Sequence, residues 1–454
     1  MVLVFKRLFL LSLTLVFLHT QAQAETEVTL QEAVERALVR SDQVIAGMKR
    51  VESAGHRYAE AWGHLLPKVT LHERYMKTDT PAYVFSTKIN QEAFTLEDLG
   101  GAPDSFNDPD TVEDYETVLS LEQVLFSRRA FLGTEMAGAE REAARLRFSR
   151  EEQEVVFRVY EAYFNSLMAE AYLETAESAL QDAEEHLRLA KVAVAAGTGL
   201  EADRLRAEVA LSDARRLKLK VLNDVELSRL RLGLAMGEDD AIRPLRTSLS
   251  GERPELSSLE AALPERPDIR AMEEQVLNAR RNVRMMESEF LPDIGFFGAL
   301  QANDPDTVFG NQGTSYRVGI GLQWNVFSGF TSAARRASAR ADEEAASRML
   351  AAMKKQARFR VHEAYRRAEE AEKSLDLSNS ALLAAEEGAR LTRLRYENGL
   401  TTMVSLLDAQ AALNRARSDL VRTEMEYNLA LGRARHEAGT LLLELAGPLG
   451  AGRL

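Results

Sequence analysis

The sequence predicts a mixed fold of very long α-helices and amphipathic β-strands, arranged in one structural repeat that occurs twice. Three observations predict it. Residues 173–194 carry apolar side chains at alternating spacings of three and four, which is the seam of a coiled coil. The same arrangement returns 202 residues later, around residues 375–396. Residues 315–326 alternate between apolar and polar side chains, which is typical of a β-strand whose two faces meet different surroundings.

The composition excludes several classes of site. The 454 residues include no cysteine, which excludes disulfides, thiolate metal sites and cysteine nucleophiles. The formal net charge of −13 disfavours nucleic-acid binding. No glycine-rich phosphate loop or nucleophile motif is present, so we expect neither an enzyme nor a cofactor. His56, His64 and His72 straddle Pro67 and cannot share one helix face, so we expect no metal site.

The first 24 residues have the pattern of a secretory signal peptide. Lys6 and Arg7 form a positive region, residues 8–18 are apolar, and residues 22–24 form a small-x-small cleavage site. We therefore expect an exported protein. An N-terminal membrane anchor is the alternative, although the apolar stretch is short for one.

The first repeat begins with a helix and two strands. A helix is predicted from Thr29, with Glu32 as the partner in a capping box, to Leu66, where Pro67 ends it. Strands are predicted near residues 68–77, with Val69, Leu71 and Tyr75 on one face, and near residues 115–126, with Leu119, Leu121 and Leu125 on one face.

An acidic segment separates these two strands. Residues 77–114 contain several prolines and glycines, and eight carboxylates but no lysine or arginine lie between Glu97 and Glu116. We expect a solvated loop. A rim that attracts cations is the alternative.

The first repeat continues with a helical hairpin. A helix without proline is predicted over residues 128–196, and at 1.5 Å per residue it would be roughly 100 Å long. Gly197 and Gly199 stop it, and a return helix follows over residues 200–236. Prolines and glycines then make residues 241–267 a connector between the repeats.

The second repeat follows the same order. Helices are predicted over residues 268–290, 332–398 and 401–438, and strands near residues 293–302 and 315–327. Several residues recur at a constant offset of 202, including Phe157 with Phe359, Tyr163 with Tyr365, Gly197 with Gly399, Leu211 with Leu413 and Gly237 with Gly439. The chain is thus divided into a signal peptide (1–24), a first repeat (25–240), the connector (241–267), a second repeat (268–439) and a C-terminal tail (440–454).

Four strands cannot close a membrane barrel alone, because the smallest single-chain barrels have eight strands. The apolar face of residues 316–326, with aromatic side chains near both ends, is typical of a transmembrane strand. Several copies of the chain would therefore have to share one barrel, and their helices would bury the narrow apolar stripes against each other. The alternative is a soluble periplasmic coiled-coil scaffold with amphipathic strands; a metalloenzyme lacks ligands.

These features together resemble the TolC family of outer-membrane efflux proteins. The resemblance covers nearly all of the predicted mature chain. It is carried by the duplicated hairpin, by the Leu66-Pro67 and Leu291-Pro292 junctions, by Leu-Glu-Gln-Val-Leu-Phe-Ser at 121–127 and Leu-Gln-Trp-Asn-Val-Phe-Ser at 322–328, and by Arg-Tyr-Glu-Asn-Gly-Leu at 395–400.

The resemblance implies a homotrimer in the outer membrane, with four strands per chain in a twelve-stranded membrane β-barrel and a long α-helical coiled-coil barrel in the periplasm. It implies passive export, in an efflux or type I secretion-like system. The implied partners are a periplasmic adaptor (membrane fusion) protein, an inner-membrane transporter of the RND, ABC or MFS type, and outer-membrane lipid.

The resemblance also implies a gate at the periplasmic tip. Tyr396 lies at the position of the gate tyrosine, Asp203 at that of its aspartate partner and Asp408 at that of a pore-lining aspartate. Thr401 replaces the gate arginine and Ser405 the other lining aspartate, so the charged latch is incomplete. Asp203 and Asp408 are equally consistent with carboxylates that favour a helix N-terminus.

The two hairpin turns are the implied contact with the adaptor. Their residues are Gly197, Gly199, Leu200, Gly399 and Leu400. Termination of the long helices explains the glycines in any case.

Overall fold

The computed structural model describes residues 27–100, 107–246 and 252–445. The predicted signal peptide lies outside these residues, as does most of the predicted tail. The α-helices are α1 (Leu30–Arg40), α2 (Asp42–Gly63), α3 (Pro81–Asn90), α4 (Leu96–Gly100), α5 (Arg128–Ala195), α6 (Glu201–Met236), α7 (Leu256–Ala262), α8 (Pro267–Glu287), α9 (Thr331–Glu397) and α10 (Met403–Ala438). The strands are β1 (Glu27–Val28), β2 (Lys68–Thr78), β3 (Val112–Phe126), β4 (Arg243–Pro244), β5 (Asp293–Asp304) and β6 (Gly313–Gln323). None of the described helices is both long and apolar enough to cross a membrane.

Contacts divide the chain into two units, and each unit takes segments from both predicted repeats. The helical unit contains the described residues up to Lys49, residues 146–270 and those from Ala352 onward. The sheet unit contains residues 50–145 and 271–351. The boundaries of the sequence repeats stay a prediction.

The N-terminal helix is shorter than predicted. The capping box is present, since the Glu32 amide donates to Thr29 Oγ1 at 3.2 Å and the Thr29 amide donates to Glu32 Oε2 at 2.9 Å. A single helix to Leu66 is wrong, however, because Ser41 is extended and separates α1 from α2. The break lies against Gly237, where a Cβ would be 3.0 Å from the backbone of Arg40 and Ser41.

The core of the helical unit lies where β1, α1, α5 and α6 meet. Its largest fully buried side chains include Val28, Val34, Tyr163, Phe164, Leu232, Met236 and Ile242. The Tyr163 hydroxyl donates to the carbonyls of Val28 and Leu245, which satisfies the buried phenol. Gly237 and its repeat equivalent Gly439 end α6 and α10 with φ of 79° and 86°, in the left-handed region that favours glycine.

The sheet unit contains a four-stranded antiparallel sheet in the order β2-β3-β5-β6. Its register places Leu71, Leu119, Leu300 and Tyr316 in one row across all four strands. The apolar rows of the four strands therefore share one face, and this face is exposed: Tyr316 is 75% and Leu300 60% exposed. We call it the apolar face.

The other face of the sheet is polar. Glu116 pairs with Arg74 on β2 and accepts a hydrogen bond of 2.9 Å from Gln301 Nε2 on β5. This face also carries some apolar side chains, among them Phe297, whose ring lies over Gly319, where a Cβ would come within 2.7 Å of it. We call this the polar face.

The end of β3 differs from the predicted alternation. A bulge shifts the register between Val124 and Phe126, so Phe126, rather than Leu125, is registered opposite Ile294. The prediction that Leu125 continues the row of Leu119 and Leu121 is therefore wrong, because the extra residue of a bulge changes the alternation.

The segment between β2 and β3 is more structured than predicted. A solvated loop is wrong for residues 81–90, which form α3, and for the short α4. Pro81 is in the first turn of α3, where a missing amide hydrogen costs nothing. Val84 and Thr87 are buried, so this helix packs against the sheet unit.

Candidate functional site

The tips of the two helical hairpins are closed by matching turns. At the end of α5 the Gly197 amide donates to the Val194 carbonyl and the Thr198 amide to the Ala193 carbonyl, both at 3.0 Å. At the end of α9 the Gly399 and Leu400 amides donate in the same pattern. Gly197 and Gly399 have φ of 73° and 69°, so both turns depend on a left-handed residue.

The turn residues are mostly accessible to solvent. Gly197, Leu200, Gly399 and Leu400 are exposed, and Gly199 is half-buried. A Cβ at Gly199 would lie 2.8 Å from the Cβ of Ala193, so only glycine lets the first turn close this tightly. Each tip thus presents one exposed leucine, Leu200 or Leu400, that a partner could cover.

Behind the turns, the two hairpins pack against each other. Met403 and Leu406 of α10 are fully buried. They lie in a cluster with Ala183, Leu187, Ala190, Ala207 and Leu211 of the first hairpin. The small residues of the predicted seam therefore accept large side chains from the second hairpin, which brings the two helix pairs close together.

Asp203 and Tyr396, the predicted gate pair, lie close together. Tyr396 packs against the apolar cluster, and its burial raises the pKa of its phenol. The Asp203 carboxylate adds to this rise in the pKa of Tyr396. Asp203 Oδ1 also accepts a hydrogen bond of 3.2 Å from Arg206 of its own helix.

The other predicted gate residues lie at the start of α10. Thr401 is half-buried and precedes the N-cap, which is Thr402. Thr402 Oγ1 accepts from the amide of Ser405 at 3.3 Å, so Thr402 caps the helix and Ser405 lies in its first turn. Asp408 is exposed on the second turn of the helix.

A polar network between the hairpins was missed in the sequence. Gln410 of α10 donates from Nε2 to Asp182 Oδ2 of α5 at 2.7 Å, and its Oε1 lies 3.3 Å from His186 Nε2. Arg417 Nη1 donates to the same Asp182 oxygen at 3.3 Å. Arg393 of α9 pairs with Glu185 of α5 at 3.2 Å. We call Asp182, His186, Gln410 and Arg417 the inter-hairpin network.

The electrostatics of this network follow from its burial. His186 is almost fully buried, and burial lowers the pKa of its imidazole, although Gln410 and Asp182 partly oppose that effect. The neutral ring then donates from Nε2 to Gln410, while Nδ1 has no hydrogen-bond partner among the described residues. The network is thus a set of directional contacts between the two hairpins.

The described residues contain no group of three or more histidine, aspartate or glutamate side chains that could hold a metal ion. The site consists of two hairpin tips that are held together by apolar packing and by hydrogen bonds. Such contacts can break and re-form without any covalent step.

The chain matches the sequence profile described as "Outer membrane efflux protein" over residues 33–238 and 258–436. It belongs to the outer membrane efflux protein family. As a member of this family the chain is an outer-membrane channel protein, and the family works with adaptors and inner-membrane pumps in tripartite systems.

Sequence and structure comparisons agree with this membership. The alkaline protease secretion protein AprF of Pseudomonas aeruginosa is 25% identical over 338 residues, which cover 71% of this chain and 69% of AprF. The outer membrane protein VceC of Vibrio cholerae has the same fold, with a TM-score of 0.76 at 18% identity, covering 92% of this chain and 96% of VceC. The CmeC outer membrane channel of Campylobacter jejuni has a TM-score of 0.77 at 15% identity, covering 93% of this chain and 90% of CmeC. The predicted TolC-like fold is confirmed.

Proposed function

We propose that three copies of this chain form one export duct, with a twelve-stranded barrel in the outer membrane and a helical tunnel in the periplasm. The observation that carries the proposal is the apolar face of the sheet. Val69, Leu71, Leu300, Tyr316 and Ile320 are all at least half exposed. In water this surface would be unfavourable, whereas lipid would accept it.

The edges of the sheet support the same proposal. Within the described residues, β2 and β6 pair on one side only. An unpaired strand edge in lipid leaves backbone amides and carbonyls without partners, which costs several kcal/mol for each group. Pairing β6 of one copy with β2 of the next would satisfy both edges, and three copies would close the ring.

The helices give further support. Leu219 of α6 and Leu377 and Leu383 of α9 are each at least 70% exposed. In coiled coils such residues are covered by a neighbouring helix. A ring of subunits would supply that neighbour.

Cysteine cross-linking tests the ring directly, because the native chain has no cysteine. Thr70→Cys on β2 is combined in turn with Ser315→Cys, Arg317→Cys or Gly321→Cys on β6. We expect one combination to link chains into covalent trimers on oxidation, while each single variant stays unlinked. If no combination links the chains, the two edges do not meet and the shared barrel is refuted.

At the other end of the duct, we assign the hairpin turns to the adaptor and the tips to the gate. Gly197, Gly199, Leu200, Gly399 and Leu400 would contact the adaptor. The residues Asp203, Tyr396, Thr401, Ser405 and Asp408 would line or hold the constriction. Since Thr401 offers no charge, the inter-hairpin network would supply the contacts that keep the tip closed.

The inner-membrane transporter is of the RND, ABC or MFS type, and the cargo is either a small molecule or a protein. The similarity to AprF, named for protease secretion, favours a secreted protein as the second candidate cargo. Deleting the gene for this protein distinguishes between the two kinds of cargo. Loss of one extracellular protein with unchanged antibiotic sensitivity indicates secretion, and the reverse indicates efflux of small molecules.

A further inference from the structure

Helix α3, in the connection between β2 and β3, lies against the sheet by one of its faces. Val84, Thr87 and Gln91, spaced by three and four residues along α3 and its C-cap, are all buried. The helix contacts β3, β5 and β6, which means that it crosses strands instead of extending away from the sheet.

The register shows that α3 packs on the polar face. Its end contacts Asp114 of β3 and Gly313 of β6, and Asn303 of β5 hydrogen-bonds to the same Asp114. Each lies an odd number of residues from the apolar row of Leu119, Leu300 and Tyr316, and the strand segments between them are regular. Because side chains alternate between the two faces of a sheet, all three residues belong to the polar face.

The polar contacts are built around one buried carboxylate. Gln91 Nε2 donates to Asp114 Oδ1 and to the Glu113 carbonyl, both at 2.8 Å. Asn303 Nδ2 donates to Asp114 Oδ2 at 2.9 Å. Asp114 and Asn303 are 3% and 2% exposed. Removing one partner of a buried carboxylate is costly, so these hydrogen bonds hold the end of α3 in place.

The backbone of α3 also rests directly on β6. A Cβ at Gly313 would lie 2.0 Å from the Asn90 carbonyl oxygen and 2.8 Å from the Gln91 carbonyl carbon. No side chain fits there unless the end of the helix moves away. Gly313 is therefore the place where α3 can be displaced without changing any residue of the helix.

The connection lies at one particular end of the sheet. At the other end of the sheet, β2 and β5 begin after α2 and α8, at Lys68 and Asp293, and β3 and β6 lead into the long helices α5 and α9, at Phe126 and Gln323. The β2–β3 and β5–β6 connections join the opposite strand ends. If the helices form the periplasmic tunnel, α3 is at the outer end.

We propose that α3 is an outer constriction of the channel, which limits the size of solutes that pass between the lumen and the exterior. The inference rests on the proposed function, because only in a closed barrel does the polar face become the lumen. In a trimer, three copies of α3 would narrow the outer end together. This constriction is separate from the gate at the hairpin tips.

The test uses a single cysteine below α3 as a reporter of access from outside. Thr70→Cys is on the polar face, next to Leu71 and eight residues from the end of β2 at Thr78. Intact cells are treated with a small charged methanethiosulfonate, or with a maleimide on a long polyethylene glycol chain. We expect the small reagent to label much faster than the long one.

Gly313→Val should displace α3 and lower the ratio of the two labelling rates by about tenfold, because a wider pore admits the long reagent. Gly321→Val is the matched control: it is on the same strand and face, and its Cβ would meet no atom closer than 4.0 Å. Gln91→Ala, which adds no volume, should change the ratio in the same direction. An unchanged ratio in both Gly313→Val and Gln91→Ala overturns the constriction.

A second reporter separates this failure from failure of the proposed function. Leu71→Cys is on the apolar face, so in a lipid-embedded barrel neither hydrophilic reagent should label it. If Leu71→Cys is labelled and Thr70→Cys is protected, the polar face is not the lumen. That result refutes the proposed barrel, and the constriction with it.

Discussion

Mild acid should destabilise the helical unit through its buried histidines, in particular His436 of α10. Its ring stacks on Phe157 with the ring centroids 4.4 Å apart, and Arg150 Nη2 lies 3.1 Å from Nε2. Burial is the largest cause that lowers the pKa of His436, to about 3, and the charges of Arg150, Arg266 and Arg433 lower it further. The folded protein therefore keeps this ring neutral.

The magnitude follows from linkage. An unfolded histidine has a pKa near 6.5. Above that pH both states are neutral and the group has no effect on stability. Below it the unfolded chain takes up a proton that the folded chain does not, so stability is lost as the pH falls from about 6.5 toward 3. At pH 5 the loss is about 2 kcal/mol per subunit.

The window between pH 7 and pH 5 separates this effect from the titration of Asp268, a half-buried carboxylate paired with Arg266. Burial raises the pKa of Asp268, but the hydrogen bonds and the charge of Arg266 outweigh it and lower that pKa below 3.8. A carboxylate with a lowered pKa loses its stabilising effect only in stronger acid. Asp268 therefore contributes little to the change above pH 5.

The assay is denaturant unfolding of the detergent-solubilised protein at pH 7 and pH 5, for the wild type and for His436→Gln. The glutamine keeps an acceptor for Arg150 and cannot titrate. Between pH 7 and pH 5, we expect the free energy of unfolding to fall by about 2 kcal/mol less in the variant than in the wild type. His56→Gln, at a highly exposed histidine, is the control. An equal pH effect in the wild type and in His436→Gln would refute the reasoning.

Three further predictions concern the hairpin tips. Asp182→Ala removes the acceptor of Gln410 and Arg417, so the tips should open more often. The conductance in planar bilayers should therefore rise. The control Asp376→Ala, at an exposed position of α9, should leave the conductance unchanged. Asp408→Ala should reduce the preference of the pore for cations, and identical reversal potentials would remove Asp408 from the pore. Gly399→Pro cannot adopt the φ of 69° that the turn needs, so cross-linking to the adaptor should be lost while trimers persist. Unchanged cross-linking would count against the turn as the contact.

The strands could be predicted because the alternation of apolar and polar side chains is visible within each stretch of sequence. The sequence could not show that the four apolar rows join, since register is set by pairing between strands. The bulge before Phe126 has the same origin: it depends on the partner strand, β5. Helix α3 was not predicted because the segment that contains it is acidic, a composition typical of a loop. Pro81 and the spacing of Val84, Thr87 and Gln91 are nevertheless signals of a helix.

The candidate site was predictable only in part. The glycines of the turns are local signals, and Asp203 and Tyr396 were found through the family resemblance. The inter-hairpin network was missed because its contacts join α5 to α10, and no local pattern indicates which helix faces which. The useful signal was the spacing of Asp182 with His186, and of Gln410 with Arg417, which places each pair on one helix face.

The most direct measurement of the central claim is the native mass of the protein extracted from outer membranes in detergent. The shared barrel predicts a particle of three chains that detergent alone releases and that remains intact when salt is raised. A single folded chain, released by high salt without detergent, would contradict it.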